Sequence, residues 1–405
     1  MSTALSSDPS TPGQAASGQP ATLRPRPGHR VAPLLKWPGG KSEELPKVVA
    51  GMPQRIEKYF EPFVGGGAAF FAMPSDVPAY INDTSADLIA FYRLVQNQDG
   101  NLFSDLLGID DWWDRIARFV DGPGTELVDL FVSGPQRPDQ LKVRVSSVVR
   151  HHLSRLMDTV TPRWEDLRDH FATHVEDLVP RKLLRMRTIE HQRAQLLPIE
   201  DVIRNVEGAV KAACYTTLRA AYNRSNGFDV PARRAGLFFF LREYSYAAMF
   251  RFNSHGGFNV PYGGITYNRK DFRAKVEHLR SPGVQSRLAT TAIVCDDFES
   301  FLERHQPGAD DFMFLDPPYD SHFSNYDANA FGVPDHKRLA ATMRRVPCRV
   351  QLIIKSTPTV LEIYSHSNWH VVAFDKRYMW TIKERNDRGA THLMITNYLP
   401  DGLSG

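Results

Sequence analysis

The chain has 405 residues, 42% of them hydrophobic and 23% charged, with a formal net charge of +3. This is a globular composition with mass for two or three domains, and it excludes a fibrous or low-complexity protein. No apolar run is long enough to span a bilayer and the N-terminus lacks an apolar signal core, so a cytoplasmic protein with no membrane partner is expected. The three cysteines, Cys214, Cys295 and Cys348, lie far apart without metal-ligand spacing, so neither a disulfide framework nor a metal site is expected. The small positive charge permits a polyanionic partner without demanding one, because local patches matter more than the sum.

Residues 1–30 are rich in Ser, Thr, Pro, Gly, Ala and Gln and read as a flexible tail. Next comes Leu34-Leu35-Lys36-Trp37-Pro38-Gly39-Gly40-Lys41. Its glycines allow close backbone approach, Trp37 offers a stacking face and Lys41 a charge, with a helix expected from Ser42 towards Val49. Tyr59-Phe60-Glu61-Pro62-Phe63-Val64-Gly65-Gly66-Gly67 is an aromatic strand running into three glycines, with a helix expected to start at Ala68-Ala69-Phe70-Phe71. A strand, glycine turn and helix is the form that binds a nucleoside-type cofactor, although the GxGxxG spacing of dinucleotide sites is absent. Ala79–Asp83 then reads as a second strand ending in an acid, where ribose hydroxyls are gripped; helix capping is the plainer role for Asp83. A helix follows over Ala86–Gln96.

From about residue 100 to 231 the character changes. Leu141–Arg224 is helical and amphipathic, with Arg144, Arg150, Arg155, Arg181, Arg185 and Arg187 among interspersed acids. Solvated charged faces are the plain reading and a DNA-backbone face the sharper one. His151-His152 lacks the neighbours a metal site needs. Phe238–Phe240 reads as core. Tyr246 and Arg251, beside the turn Asn253–Gly257, are aromatic and basic groups placed to stack a base and grip phosphate. Thr290–Phe298 is a strand ending in Asp296-Asp297-Phe298. Phe312-Met313-Phe314-Leu315 is a buried strand stopped by Asp316-Pro317-Pro318-Tyr319, which presents Asp316 and Tyr319 at the carboxyl end of a parallel sheet. Ser321–Tyr326 has the length of a mobile cover. A helix at Val333–Arg345 and strands at Val350–Lys355, His370–Phe374 and His392–Tyr398 complete an α/β pattern with an antiparallel return at its end.

The joint order of the Trp/Lys segment, the glycine loop, Asp83 and Asp-Pro-Pro-Tyr resembles the Dam-like D12 class, alpha group, of site-specific DNA adenine-N6 methyltransferases. Phe258-Asn259-Val260-Pro261-Tyr262-Gly263 and Arg388–Tyr398 resemble two further family segments. The resemblance covers about residues 33–98 and 236–398. It implies a Rossmann-like S-adenosylmethionine-dependent methyltransferase sheet with a largely helical inserted DNA-recognition domain. The expected division is 31–99 and 285–400 as the two parts of the catalytic domain, with 100–284 inserted. The resemblance further implies S-adenosylmethionine contacts at Trp37, Lys41, Asp83 and Asp316. Phe60, Gly65 and Gly67 would line the pocket, and Asp297-Phe298 would pack on the cofactor's adenine. Tyr246, Arg251 and Asn259 would meet double-stranded DNA, with the target adenine flipped out. Asp316, Pro317, Pro318 and Tyr319 would be catalytic.

Where family members often carry Asn-Gly after the aromatic, this chain has Ala247-Ala248, and its insert is longer than in compact members. Both put the family's usual GATC target in doubt. Methylation of cytosine N4 or RNA adenine, and a catalytically silent DNA-binding module, stand as alternatives, and a cognate restriction endonuclease as a partner. A cytosine-C5 enzyme would need a cysteine nucleophile, and Cys348 sits before an apolar strand as a small buried hydrophobe.

Overall fold

Short runs of aromatic and branched residues make the strands, and prolines, glycines and acids end them. The computed structural model describes residues 21–22, 31–37, 44–157, 162–225, 231–265, 270–318, 331–377 and 389–400. Lys41, Tyr319, the cover segment Ser321–Tyr326 and most of the expected tail lie outside the described residues. Within that tail, Ala21–Thr22 pairs antiparallel with Arg55–Ile56.

Seven strands form one sheet: β1 Tyr59–Glu61, β2 Ala79–Asn82, β3 Thr291–Val294, β4 Phe312–Leu315, β5 Arg349–Lys355, β6 His370–Arg377 and β7 Gly389–Thr396. Their order is β3-β2-β1-β4-β5-β7-β6. The first five are parallel, with Tyr59 paired to both Ala79 and Phe312. β7 enters antiparallel between β5 and β6, pairing Ile354 with Leu393 and His370 with Thr396. The chain order reverses between β1 and β4, and such a switch point opens a crevice at the strands' carboxyl ends.

Alternation along the strands builds two cores. Tyr59, Ile81, Phe312 and Phe314 face one layer, while Phe60, Met313, Leu315 and Leu352 face the other. The expected helix at Ala68–Phe71 is only a single 3-10 turn, Phe70–Ala72. Pro74 forces the preceding Met73 into extended backbone (ψ 146°), which stops the helix.

The helices are α1 Leu45–Ala50, α2 Ala86–Gln96, α3 Gly100–Val120, α4 Thr125–Ser133, α5 Pro138–Met157, α6 Arg168–Arg193, α7 Ile199–Arg224 and α8 Pro231–Tyr244, then α9 Phe272–Leu279, α10 Pro282–Ala289, α11 Phe298–His305, α12 Val333–Arg345 and α13 Pro358–Ile363. Helices α2 to α10 all fall between β2 and β3 in the chain. They share the sheet's core: Phe91 of α2 stacks on Phe239 of α8 at 5.0 Å, and Phe238–Phe240 are fully buried, as expected. Arg234 of α8 also meets Asp87 of α2 at 2.8 Å. Charged faces on α5 and α6 pair across the helices, Lys142 with Asp177 at 2.9 Å and Arg150 with Glu176 at 3.0 Å. His152 is buried against Phe119, and no group of three metal-binding side chains occurs among the described residues. No helix of the described residues is long and apolar enough to cross a membrane.

Arg273 of α9 ties that helix to α3 through Asp110 (2.9 Å) and Asp111 (2.7 Å). Burial pushes the Asp110 carboxyl up to about 6, with the negative charge of Asp114 adding to it. A carboxyl whose folded pKa exceeds its unfolded value loses stability for the protein as pH rises from the unfolded to the folded pKa. Asp110→Asn is therefore expected to gain stability on the wild type as pH rises from about 4 to about 6. Urea unfolding at several pH values measures this, and a gap that does not widen over that window contradicts it.

Candidate active site

Four loops meet at the carboxyl ends of β1 to β4. After β1, Pro62 ends the strand and Gly65–Gly67 turn the chain, with φ of +47° at Gly65 and +76° at Gly67. A β-carbon on Gly65 would lie 2.7 Å from the Trp37 ring, and one on Gly67 would lie 2.6 Å from the Tyr92 hydroxyl. These glycines are needed both for backbone conformation and because the Leu35–Trp37 segment passes directly over the loop. The amide of Gly65 donates to Asp83 Oδ2 at 3.1 Å, and the amide of Ser85 to Asp83 Oδ1 at 2.9 Å. The half-buried Asp83 carboxylate is thus held in one orientation. Burial nevertheless raises its pKa against the pull of those amides and of the Arg242 charge.

Asn82, one residue earlier and 1% exposed, ties three of the loops together. Its Nδ2 donates to the carbonyls of Pro62 (3.1 Å) and Asp296 (2.9 Å), while its Oδ1 accepts from the Asp296 amide at 2.9 Å. Past β3, Asp297 caps α11 by accepting from the Glu299 amide at 2.9 Å and meets Arg338 at 2.6 Å. Phe298 packs beneath that guanidinium and against Phe63 and Phe331. Phe298 is 2% exposed, so Phe63 and Phe331 keep the open surface of the cluster. Phe60 is fully buried and stacks on Tyr80 at 4.8 Å. That leaves it no surface for a ligand, and its role is to support the sheet under Phe63.

Asp316 follows β4 and is half-buried; Pro317 is buried and Pro318 exposed. Behind it lies Glu61, whose carboxyl accepts from the Tyr59 hydroxyl at 2.7 Å. Burial pushes Glu61 well above the carboxylate range, and the Asp316 charge pushes it the same way. Glu61 is therefore an acid that gives up its proton reluctantly behind Asp316.

Trp37 is positioned by α8. The Arg242 guanidinium, 1% exposed, lies between the rings of Trp37 (4.3 Å) and Phe250 (4.7 Å) and donates to the Lys36 carbonyl at 2.9 Å. Glu243 accepts from the Lys36 amide at 3.3 Å and is met by Lys270. Sequence reading missed Asn82 and Glu243 and took Arg242 only as one of the arginines interleaved with the aromatics of residues 237–252, because burial of a polar group is a three-dimensional fact.

The expected DNA residues come together on one hairpin. Ser245 bridges to Tyr262 and Phe252 to Phe258, with the tip at Asn253–Gly257 and φ of +74° at Gly256. Arg251 is exposed with its Nε 3.3 Å from Asn259 Oδ1, and Tyr246 is 49% exposed at the hairpin's base. Two surface clefts among the described residues lie elsewhere: one of about 370 Å³ between α3 and α9, and one of about 610 Å³ beside Arg55 and Arg349.

The strand order and the polar hollow at its switch point are consistent with a Rossmann-like methyltransferase. A sequence model of the D12 class N6 adenine-specific DNA methyltransferases matches residues 37–117 and 187–376, and the chain belongs to that family. It is similar to the Type II methyltransferase M.CviBI of Paramecium bursaria Chlorella virus NC1A, 23% identical over 373 residues spanning 91% of this chain and 100% of that protein. M.MjaIII of Methanocaldococcus jannaschii is 23% identical over 384 residues, 91% of this chain and 99% of its own. The DNA adenine methylase of Serratia marcescens is 33% identical over 164 residues, 38% of this chain and 57% of its own. The protein is thus an enzyme that methylates adenine N6 in DNA. The family match skips residues 118–186, which hold α4, α5 and most of α6.

Ala247 occupies the left-handed region at φ +53°, a conformation costing a side-chain-bearing residue about 1–2 kcal/mol. Ala247→Gly should therefore raise unfolding free energy by about 1 kcal/mol. Chemical denaturation tests this, and a destabilised variant would show the strain to be absent.

Proposed function

We propose that the hollow over β1, β2 and β4 binds S-adenosylmethionine and receives a single adenine flipped out of double-stranded DNA. The observation that carries this is the convergence of the Gly65–Asp83 hydrogen bond and the half-buried Asp316 at the sheet's switch point. The residues present suit the cofactor: a fixed carboxylate at Asp83 for a ribose diol, half-buried Trp37 and Phe63 as apolar walls, and glycine backbone where a β-carbon would collide. When bound, S-adenosylmethionine supplies an electrophilic methyl on a positively charged sulfur. Lys41 is proposed to add a charge near the cofactor's carboxylate end, and Gly67 and Asp297-Phe298 to shape the pocket.

Adenine N6 is a weak nucleophile because its lone pair is delocalised into the ring. Asp316 accepts one N6 hydrogen bond and the Pro317 carbonyl the other, which turns the lone pair outward as the nitrogen becomes tetrahedral. Transfer would form the N6–C bond as the S–C bond breaks and the neutral thioether S-adenosylhomocysteine leaves, and Asp316 would pass the N6 proton to solvent. Tyr319 stacks on the base, and Pro318 keeps the turn rigid. The duplex hides the target atom, so flipping is required. Residues 31–99 and 285–400 act as the catalytic unit. The 100–284 region acts as the target-recognition unit, reading DNA with Tyr246, Arg251 and Asn259. The Type II names of two relatives support a cognate restriction endonuclease as a partner in the cell.

Asp316→Ala is expected to lower transfer of tritiated methyl to DNA by at least about a hundredfold while gel-shift affinity for DNA stays near wild type. Near-normal turnover in that variant would sink the assignment. Asp83→Ala is expected to raise the dissociation constant for S-adenosylmethionine about tenfold or more by calorimetry, as loss of a charged hydrogen-bond partner does; unaltered affinity removes Asp83 from the cofactor site.

A further inference from the structure

The inserted helices have no assigned task beyond general DNA recognition, yet one of them touches the hairpin in a regular way. Tyr215, Arg219 and Asn223 stand at four-residue intervals on α7 and so share one face. All three bond to the backbone of the hairpin's returning limb. Asn223 pairs with both polar groups of Phe258: its Nδ2 donates to the carbonyl at 3.0 Å and its Oδ1 accepts from the amide at 2.8 Å. This is what a neighbouring strand would do. Two residues on, the Val260 carbonyl accepts from the Tyr215 hydroxyl at 3.0 Å and from Arg219 Nη1 at 3.1 Å.

The limb between them alternates. Phe258 and the Val260 carbonyl turn to α7, and Arg219 Nη1 also reaches the Asn259 carbonyl at 3.5 Å, while the Asn259 amide donates the other way, to the Arg251 carbonyl at 3.2 Å. Phe258 and Val260 are each 1% exposed, whereas Asn259 keeps open surface beside Arg251. A slip of one residue would exchange these roles, burying Asn259 and exposing two apolar side chains. The carboxyl end of α7 is anchored to α2 through the Tyr222 hydroxyl, which donates to Asp87, and Arg234 of α8 joins the same Asp87 carboxylate to the Tyr222 carbonyl.

We infer that the Tyr215–Arg219–Asn223 face of α7 is a register clamp that determines target specificity, holding Asn259 and Arg251 at one height on the DNA-facing hairpin. These three are positioning residues. The inference rests on the reading of that hairpin as the DNA-contacting element.

The test uses the full-length enzyme on a plasmid library carrying randomised sequence, with methylated adenines located by single-molecule sequencing. The wild type's preferred site and its ratio over single-base variants of that site are read from the same library. Tyr215→Phe removes one hydroxyl, and Asn223→Asp keeps the acceptor but faces the Phe258 carbonyl with a second acceptor. Both are expected to lower the site-to-variant ratio by about fivefold to tenfold, the scale of one misread base pair. The dissociation constant for S-adenosylmethionine should stay within about twofold by calorimetry. Arg251→Ala is measured in parallel for DNA affinity and for the same ratio. If Arg251→Ala lowers them while the α7 variants lose only thermal stability at an unchanged ratio, α7 is a scaffold and the clamp is overturned. If Arg251→Ala changes neither, the hairpin reading fails, and the clamp with it.

Discussion

The join at Lys36 carries the geometry of both ends of the molecule. Its amide is taken by Glu243 and its carbonyl by Arg242, so the backbone of one residue, in two successive peptide units, is held by adjacent residues at the end of α8. The same guanidinium is packed between Trp37, which roofs the glycine loop, and Phe250, which begins the hairpin. A buried guanidinium is tolerated only where acceptors and aromatic faces replace water, and here burial lowers its pKa to about 9 against the favourable charge of Glu243. The Lys36 carbonyl, the Glu243 charge and the two ring faces offset the cost of burying it.

On the other side of the glycine loop, Asn82 does a related job with a neutral group. One amide satisfies backbone groups in the loops after β1 and β3 while β2 carries it, so the three loops cannot shift independently. Asp83 and the Asp296–Phe298 turn inherit that rigidity. Hydrogen bonds between buried neutral partners contribute only about 1 kcal/mol each, but leaving two carbonyls unmet costs more, which makes the arrangement nearly all-or-none.

The helical region is not a separate body hung from the sheet. Phe91, Phe239 and the Asp87–Arg234 pair bind α8 to α2, and α7 grips the hairpin from behind. The hairpin is therefore braced from one side by Arg242, which packs on Phe250, and from another by Asn223 of α7. In the stretch that the family match skips, residues 118–186, α5 and α6 also pair through ion pairs of little energetic weight, while Val145, Val149, Phe171 and Val175 join the main core.

Much was legible in the sequence because it depends on near neighbours. The run Phe312–Leu315 before two prolines could only be a buried strand that stops, and Ala86–Gln96 and Val333–Arg345 were readable as helices from period and caps. The parallel sheet and its antiparallel return followed from the order of the elements. What only tertiary structure decided concerns partners far apart in the chain. Phe60 and Phe63 look alike in the sequence, yet Phe60 lies within β1 and is fully buried, while Phe63, past the strand's end, stays half-buried. Lys36 and Arg242 are separated by 206 residues, and Asn82 and Asp296 by 214. Local propensity has no term for such pairs, because they exist only once the sheet order and the packing of α7 and α8 bring their backbones within hydrogen-bond reach.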